Sequence, residues 1–297
     1  MKILVTGANG LAGQHLVKQL LETTSHTVVA TGRGVSRLPF TDDRLHYHAL
    51  DIRDGAAATA FYMDTGADAI IHGAAMTLPD DCEINKTTCW DINVTATRFL
   101  TEAAKQLNAY FIYLSTDFVF DGEKGMYKEA DSAAPVNYYG SSKLAAEKAV
   151  MECGLNATII RTCLVYGNIL QGSRSNIISW VKESLQQRKQ IKVVSDQLRT
   201  PTYVEDFVNG ILLALEQKTQ GIFHISGADI LTPYDMALAT AHHLGLDVSL
   251  IEKVDASVFK QAAQRPAKTG FDISKAKKIL GYQPVDFKTG LMKMLDD

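Results

Sequence analysis

Tyr139 and Lys143 stand four residues apart in Tyr139-Gly140-Ser141-Ser142-Lys143, inside a stretch, residues 138–151, whose pattern predicts a helix. Helical side chains at i and i+4 project from one face, so the phenol and the ammonium would be neighbours. A tyrosine ordinarily titrates near a pKa of about 10. A close ammonium favours the phenolate and brings the proton affinity nearer to working pH. Such a phenol can protonate a carbonyl oxygen as hydride arrives at the carbon, while the lysine tunes the phenol and holds a ribose. Tyr and Lys at this spacing are also common on helix surfaces. What gives the pair weight lies upstream, where the apolar run 111–114 ends in Ser115-Thr116-Asp117. That is the carboxyl edge of a strand, where open α/β sheets place their ligands. Thr116 could there donate a hydrogen bond to the developing oxyanion.

A second constellation opens the chain. Residues 3–5 form a strand-like run that leads into Thr6-Gly7-Ala8-Asn9-Gly10-Leu11-Ala12-Gly13 and then into a helical pattern. Gly7 permits a tight turn, Gly10 lets backbone N–H groups approach a pyrophosphate, and Gly13 lets helix and strand pack closely. A glycine triplet alone is weak, but at the first strand-to-helix junction it points to a dinucleotide. The next strand, 27–31, ends at Gly32-Arg33, where an NAD-preferring site usually carries an acid for the ribose hydroxyls. Arg33 instead suits a 2′-phosphate, so NADPH is expected, with NADH still open. Asp51 and Ile52 would border the adenine, although Asp51 reads equally well as a helix-start residue.

The elements that must position these groups alternate. Strand-like runs at 3–5, 27–31, 46–49, 69–72, 111–114 and 158–161 are separated by helical patterns at 12–23, 55–64, 92–106 and 138–151. That order predicts right-handed βαβ units in an α/β, Rossmann-type, doubly wound parallel sheet. Beyond it the sequence predicts a turn at 166–172, helices at 177–187, 204–216 and 233–244, strands at 191–194 and 221–226, and a closing helix at 274–280. We expect residues 1–165 to form the nucleotide-binding domain, with returning elements near 200–226. Residues 166–297 would form mostly a smaller, interleaved C-terminal substrate lobe.

Composition narrows the function classes. A net charge of −3 with no basic block argues against a nucleic-acid partner. No apolar run approaches the roughly 20 residues of a membrane span, and the first residues lack a secretory leader pattern, so a cytoplasmic location is expected. Cys82, Cys89, Cys153 and Cys163 show no metal-ligand spacing and read as reduced, buried thiols, and no metal site is expected among the histidines either.

The segments TGANGLAG, HGAAMT, DINVTAT, STDFVFDG, YYGSSK and RTCLVYG occur in the order found in extended short-chain dehydrogenases/reductases, which the chain resembles. Further segments, STDFVFDGEKGMYKEAD, SDQLRTPTYVEDF, FHISG and RPAKTGFDISKAKKILGYQP, make it most similar to dTDP-4-dehydrorhamnose reductases. The resemblance implies reduction of the 4-keto group of a nucleotide-linked 6-deoxyhexose by NADPH. It implies catalytic roles for Thr116, Tyr139 and Lys143, and cofactor-proximal or supporting roles for Ala74, Ala75, Met76, Asn93 and Ser115. Thr77, Asp117, Gln197, Arg199 and Arg265 fall in segments that resemble the substrate cleft, where two arginines could grip a diphosphate.

Two features depart from the pattern. Leu164 stands where typical members carry Trp, and the first glycine turn is closer to that of general extended reductases and epimerases. A 4,6-dehydratase would carry Asp-Glu after the threonine, whereas Asp117 is followed by Phe118. An epimerase with tightly held NAD remains an alternative. So does a non-catalytic binding role, because some relatives with this C-terminal pattern are regulatory subunits of a methionine adenosyltransferase. Relatives often form homodimers through paired helices, but Leu144, Ala145 and Ala149 fit that or burial in the chain's own core.

Overall fold

The computed structural model describes residues 1–172 and 176–296. Its strands are β1 (Lys2–Thr6), β2 (Thr27–Gly32), β3 (Leu45–Ala49), β4 (Ala69–His72), β5 (Tyr110–Thr116), β6 (Ala157–Thr162), β7 (Val165–Tyr166), β8 (Ile191–Val194), β9 (Thr202–Tyr203), β10 (Gly221–His224) and β11 (Ile251–Val254). Its helices are α1 (Leu11–Thr23), α2 (Gly55–Thr65), α3 (Pro79–Ile84), α4 (Lys86–Trp90), α5 (Ala96–Leu107), α6 (Tyr138–Glu152), α7 (Ile177–Gln186), α8 (Val204–Gln217), α9 (Pro233–His243), α10 (Ser274–Leu280) and α11 (Phe287–Asp296).

Among the described residues the main sheet has seven parallel strands in the order β3-β2-β1-β4-β5-β6-β10. The order reverses between β1 and β4, which opens a crevice beyond the carboxyl ends of those strands. Side chains alternate across the sheet and both faces are covered. Ile3 and Val5 join Leu16, Leu20 and Ile211 of α1 and α8 on one side, while Leu4, Ile70 and Phe111 join Leu100 and Ala103 of α5 on the other. Burial on both faces explains why the strands read as almost continuous apolar runs.

The second half adds β10 to the edge of this sheet, in register with β6 from Gly221 opposite Thr158 to His224 opposite Arg161. It also builds a small parallel pair, β8 with β11, against α7 and α9. A further pair, β7 with β9, lies beside α11.

Two expectations need correction. The helix expected over residues 92–106 is longer and is interrupted: α4 passes through a π-helical turn, Asp91–Thr95, before α5. The chain does not close with α10 either, since α11 follows and packs Phe287, Leu291 and Met294 against Tyr166 and Tyr203.

Candidate active site

A cleft of about 430 Å³ lies at the reversal of strand order and is lined from both halves of the chain. Its floor is the glycine-rich turn. At Gly13 a Cβ would fall 2.3 Å from the Gly7 carbonyl oxygen, so only glycine lets α1 lie this close to β1. Gly10 is the N-cap of α1 and makes no side-chain capping bond, and no acidic residue occupies the first turn. Gly7, Gly10, Leu11, Ala12 and Gly13 all face the cleft. An uncapped helix N-terminus of this kind attracts an anion, and the missing side chains leave room for a pyrophosphate. The residues present therefore fit a dinucleotide.

The opposite wall carries the groups expected to react. Asn137 caps α6 by accepting from Gly140 N–H at 2.9 Å, and its amide donates to the Gln264 carbonyl at 2.7 Å. A Cβ at Gly140 would lie 2.0 Å from the Phe118 carbonyl oxygen. Glycine here lets the start of α6 pack directly on the segment after β5. Thr116, Tyr139 and Lys143 thereby line one cleft, together with Ala75, Ser115 and Asp117 and the more exposed Thr77. Lys143 is buried. Its ammonium donates to the Leu114 carbonyl at 2.7 Å and sits 4.1 Å from the centre of the Tyr113 ring. Burial lowers its pKa to about 7, partly opposed by the Glu147 carboxylate.

The Thr116 hydroxyl donates to Asp117 Oδ1 at 3.1 Å and accepts from Phe118 N–H at 3.3 Å. Asp117 is buried, and it also accepts from Thr269 and from the Cys163 thiol. Burial raises its pKa, opposed by the charge of Arg199 and by these donors.

Several expected residues act one step back from the cleft. Asn93, in the π-helical turn, closes its amide on both polar groups of the Met76 backbone, at 2.8 and 3.0 Å. It also donates to Ser142 Oγ at 2.9 Å, and that hydroxyl donates to the Tyr139 carbonyl at 2.7 Å. Asn93 thus braces the exit of β4 against the helix that carries Tyr139. Nearby, the Ala74 N–H donates to Thr6 Oγ1, which is bonded to the buried His72.

Asn9 directs its side chain at the loop after β2. It donates to the Arg33 and Val35 carbonyls and to Tyr47 Oη, and accepts from Arg37 N–H at 2.8 Å. Arg33 is exposed on that loop. Asp51 is clamped by the Arg53 guanidinium, whose hydrogen bonds bring its pKa down to about 2, and Ile52 beside it is buried.

Of the residues expected at the substrate end, Thr77 and Asp117 line the cleft, whereas Gln197, Arg199 and Arg265 do not. Arg199 is buried, and it donates to the Leu198, Ala267 and Pro266 carbonyls and to Gln197 Oε1, with Asp117 3.9 Å away. Arg265 forms a two-pronged pair with Asp80 of α3, both bonds at 2.6 Å. Both arginines are therefore engaged in tying the C-terminal segment to the rest of the chain. Sequence reasoning gave no lining role to Asn176, Ile177 or Phe207, which also face the cleft. Leu164 lines it too, with a positive φ of 42°.

Among the described residues no cluster of three or more His, Cys, Asp or Glu is placed to hold a metal ion. Nor is any helix there long and apolar enough to cross a membrane.

Comparison with known proteins gives this geometry a lineage. The family model described as RmlD substrate binding domain matches residues 1–297. The chain is 34% identical over 285 residues to the probable low-salt glycan biosynthesis reductase Agl14 of Haloferax volcanii, covering 95% of this chain and 93% of that one. It is 31% identical over 300 residues to methionine adenosyltransferase 2 subunit beta of Mus musculus, covering 99% and 87%. Among solved structures it matches dTDP-4-dehydrorhamnose reductase of Bacillus anthracis in complex with NADP, with a TM-score of 0.86 and 26% identity over 99% of this chain and 98% of that one.

Proposed function

The chain belongs to the RmlD substrate binding domain family, and from that premise we propose that it is a sugar-nucleotide reductase using NADPH on the 4-keto group of a nucleotide-linked 6-deoxyhexose, as in dTDP-rhamnose synthesis. The observation that carries the reading is the meeting of Thr116, Tyr139 and Lys143 in one cleft with the uncapped N-terminus of α1.

A dinucleotide held by residues 6–13 would supply the hydride for the carbonyl carbon. The chain's own residues manage the oxygen. Tyr139 gives its phenolic proton to the carbonyl oxygen, which leaves an alcohol and a phenolate that solvent reprotonates. Lys143, with one N–H spent on the Leu114 carbonyl, offers positive charge to that phenolate. Thr116, whose hydroxyl donates to Asp117 Oδ1 in this structure, keeps an oxygen lone pair with which to orient a hydroxyl. Residues 6–13 receive the pyrophosphate, and Arg33 suits the 2′-phosphate, since the Asp51 carboxylate that feels its charge is already paired with Arg53.

The direct test is NADPH oxidation with dTDP-4-dehydro-6-deoxyhexose as substrate. Tyr139→Phe is expected to lower kcat by about 100-fold or more while NADPH still binds. Turnover in Tyr139→Phe equal to that of the parent would remove the proposed acid. A second reading, a binding subunit, draws on the likeness to methionine adenosyltransferase 2 subunit beta. It gains if the parent binds NADPH tightly yet oxidises it with no ketone in a panel of nucleotide 4-keto sugars. Cofactor that stays bound through purification, with no net oxidation, would instead favour an epimerase.

A further inference from the structure

Glu147 lies one helical turn beyond Lys143 on α6, fully buried. Its carboxylate faces the sheet and is held in a two-pronged pair by Arg161 of β6, with Nε 2.9 Å from Oε1 and Nη2 2.6 Å from Oε2. The same Oε1 accepts the Ser115 hydroxyl at 2.5 Å. Ser115 is paired across the sheet with Arg161, and Thr116 with Thr162. Consecutive turns of α6 thus take hold of consecutive residues of β5: Lys143 binds the Leu114 carbonyl and Glu147 binds the Ser115 side chain. The next residue is Thr116.

We propose that Glu147 is a positioning residue of this site: fixed by Arg161, it anchors the end of β5 through Ser115 and so sets where Thr116 stands relative to Tyr139 and Lys143. The inference rests on the reductase reading above. It also gives the Ser115 side chain a different task from the cofactor contact expected of it, since its hydroxyl is turned to Glu147. A buried ion pair is a poor source of net stability, because desolvation offsets the attraction, and such pairs are better suited to fixing a geometry. The electrostatics agree. Lys143 faces Glu147 from its own helix, Cys82 and Cys89 from α3 and α4, His72 from β4 and the Tyr113 ring from β5. Of these, Glu147 does most to oppose the effect of burial on the lysine's proton.

Three variants separate geometry from folding. Ser115→Ala removes the hydroxyl and leaves the ion pair. Glu147→Gln removes the charge, and the double variant Glu147→Leu with Arg161→Met replaces the pair by apolar side chains so that no buried charge is left alone. With dTDP-4-dehydro-6-deoxyhexose, Ser115→Ala is expected to lower kcat about tenfold, while KM, the NADPH Kd from fluorescence titration and the Tm stay at parent values. In lysine labelled with ¹³C at Cε, both Glu147 variants are expected to move the NMR titration of Lys143 below that of the parent. An unchanged kcat in Ser115→Ala, or a loss of kcat that only tracks a loss of Tm, overturns the proposal. If the parent reduces no keto sugar at all, the reductase reading fails by itself. The Lys143 titration then still decides, and equal titration in the parent and both Glu147 variants overturns the role of Glu147.

Discussion

At the scale of single residues, the proposed chemistry depends on a lysine kept from water. Lys143 is 3% exposed, and burial brings its pKa down to about 7, well below the usual lysine value of about 10.4. Between those two values the unfolded chain binds a proton that the folded chain does not, so this group's contribution to stability rises with pH across that window. Activity runs the other way. The ammonium proposed to favour the phenolate is present below about pH 7 and is lost above it, so kcat/KM is expected to fall as pH rises through that region. A profile flat from about pH 6 to about pH 9 would contradict an essential charged Lys143. The Tyr139 and Lys143 pair was legible in the sequence because helical periodicity fixes i and i+4 on one face. The partner of that ammonium, the Leu114 carbonyl 29 residues away, was not, since no local pattern encodes it.

At the scale of elements, turns and caps aim the chemistry. The loop after β2 carries Arg33 and Arg37, and its conformation is tied to Asn9 in the glycine-rich turn and to Tyr47 of β3. Asn9→Ala is expected to weaken NADPH binding several-fold and NADH binding little, because loosening the loop displaces the arginine proposed to meet the 2′-phosphate. Isothermal titration with both cofactors checks this, and equal losses would show that Asn9 serves the turn rather than the loop. The π-helical turn Asp91–Thr95 is a second case. The sequence stretch reads as ordinary helix, and its extra residue per turn appears only where Asn93 must reach the Met76 backbone. Single π-turns inside α-helices are frequent at functional sites. Short elements such as α3, six residues long, carry too little periodicity to be read in advance.

At the scale of the whole molecule, the C-terminal segment is fastened back onto the cleft by charged pairs. Arg265 reaches Asp80 across 185 residues, and its hydrogen bonds lower the Asp80 pKa to about 2. That contribution is present above the ordinary carboxylate pKa and is lost as pH falls through about 2. If Arg265 acts by holding residues 263–265 against α3, then Arg265→Ala and Asp80→Asn raise the KM for the nucleotide sugar by similar factors. The double variant then adds nothing further. A rise in KM confined to Arg265→Ala, measured in the same assay, would return Arg265 to direct substrate contact. Arg199 is held in the same manner, its donors spent on carbonyls of residues 198, 266 and 267.

The sequence by itself determined the alternation of β1 to β6 with α1, α2, α5 and α6, the glycine-rich turn and the tyrosine and lysine of one helix face. Each of these is a local consequence of side-chain period, steric size and φ preference. Tertiary structure alone decided which charges face ligand and which face each other. Glu147 with Arg161, Asp117 with Arg199 and Asp80 with Arg265 are pairings set by where the βαβ windings bring distant segments together. A charged residue's partner depends on that packing and on the cost of leaving its charge alone away from water.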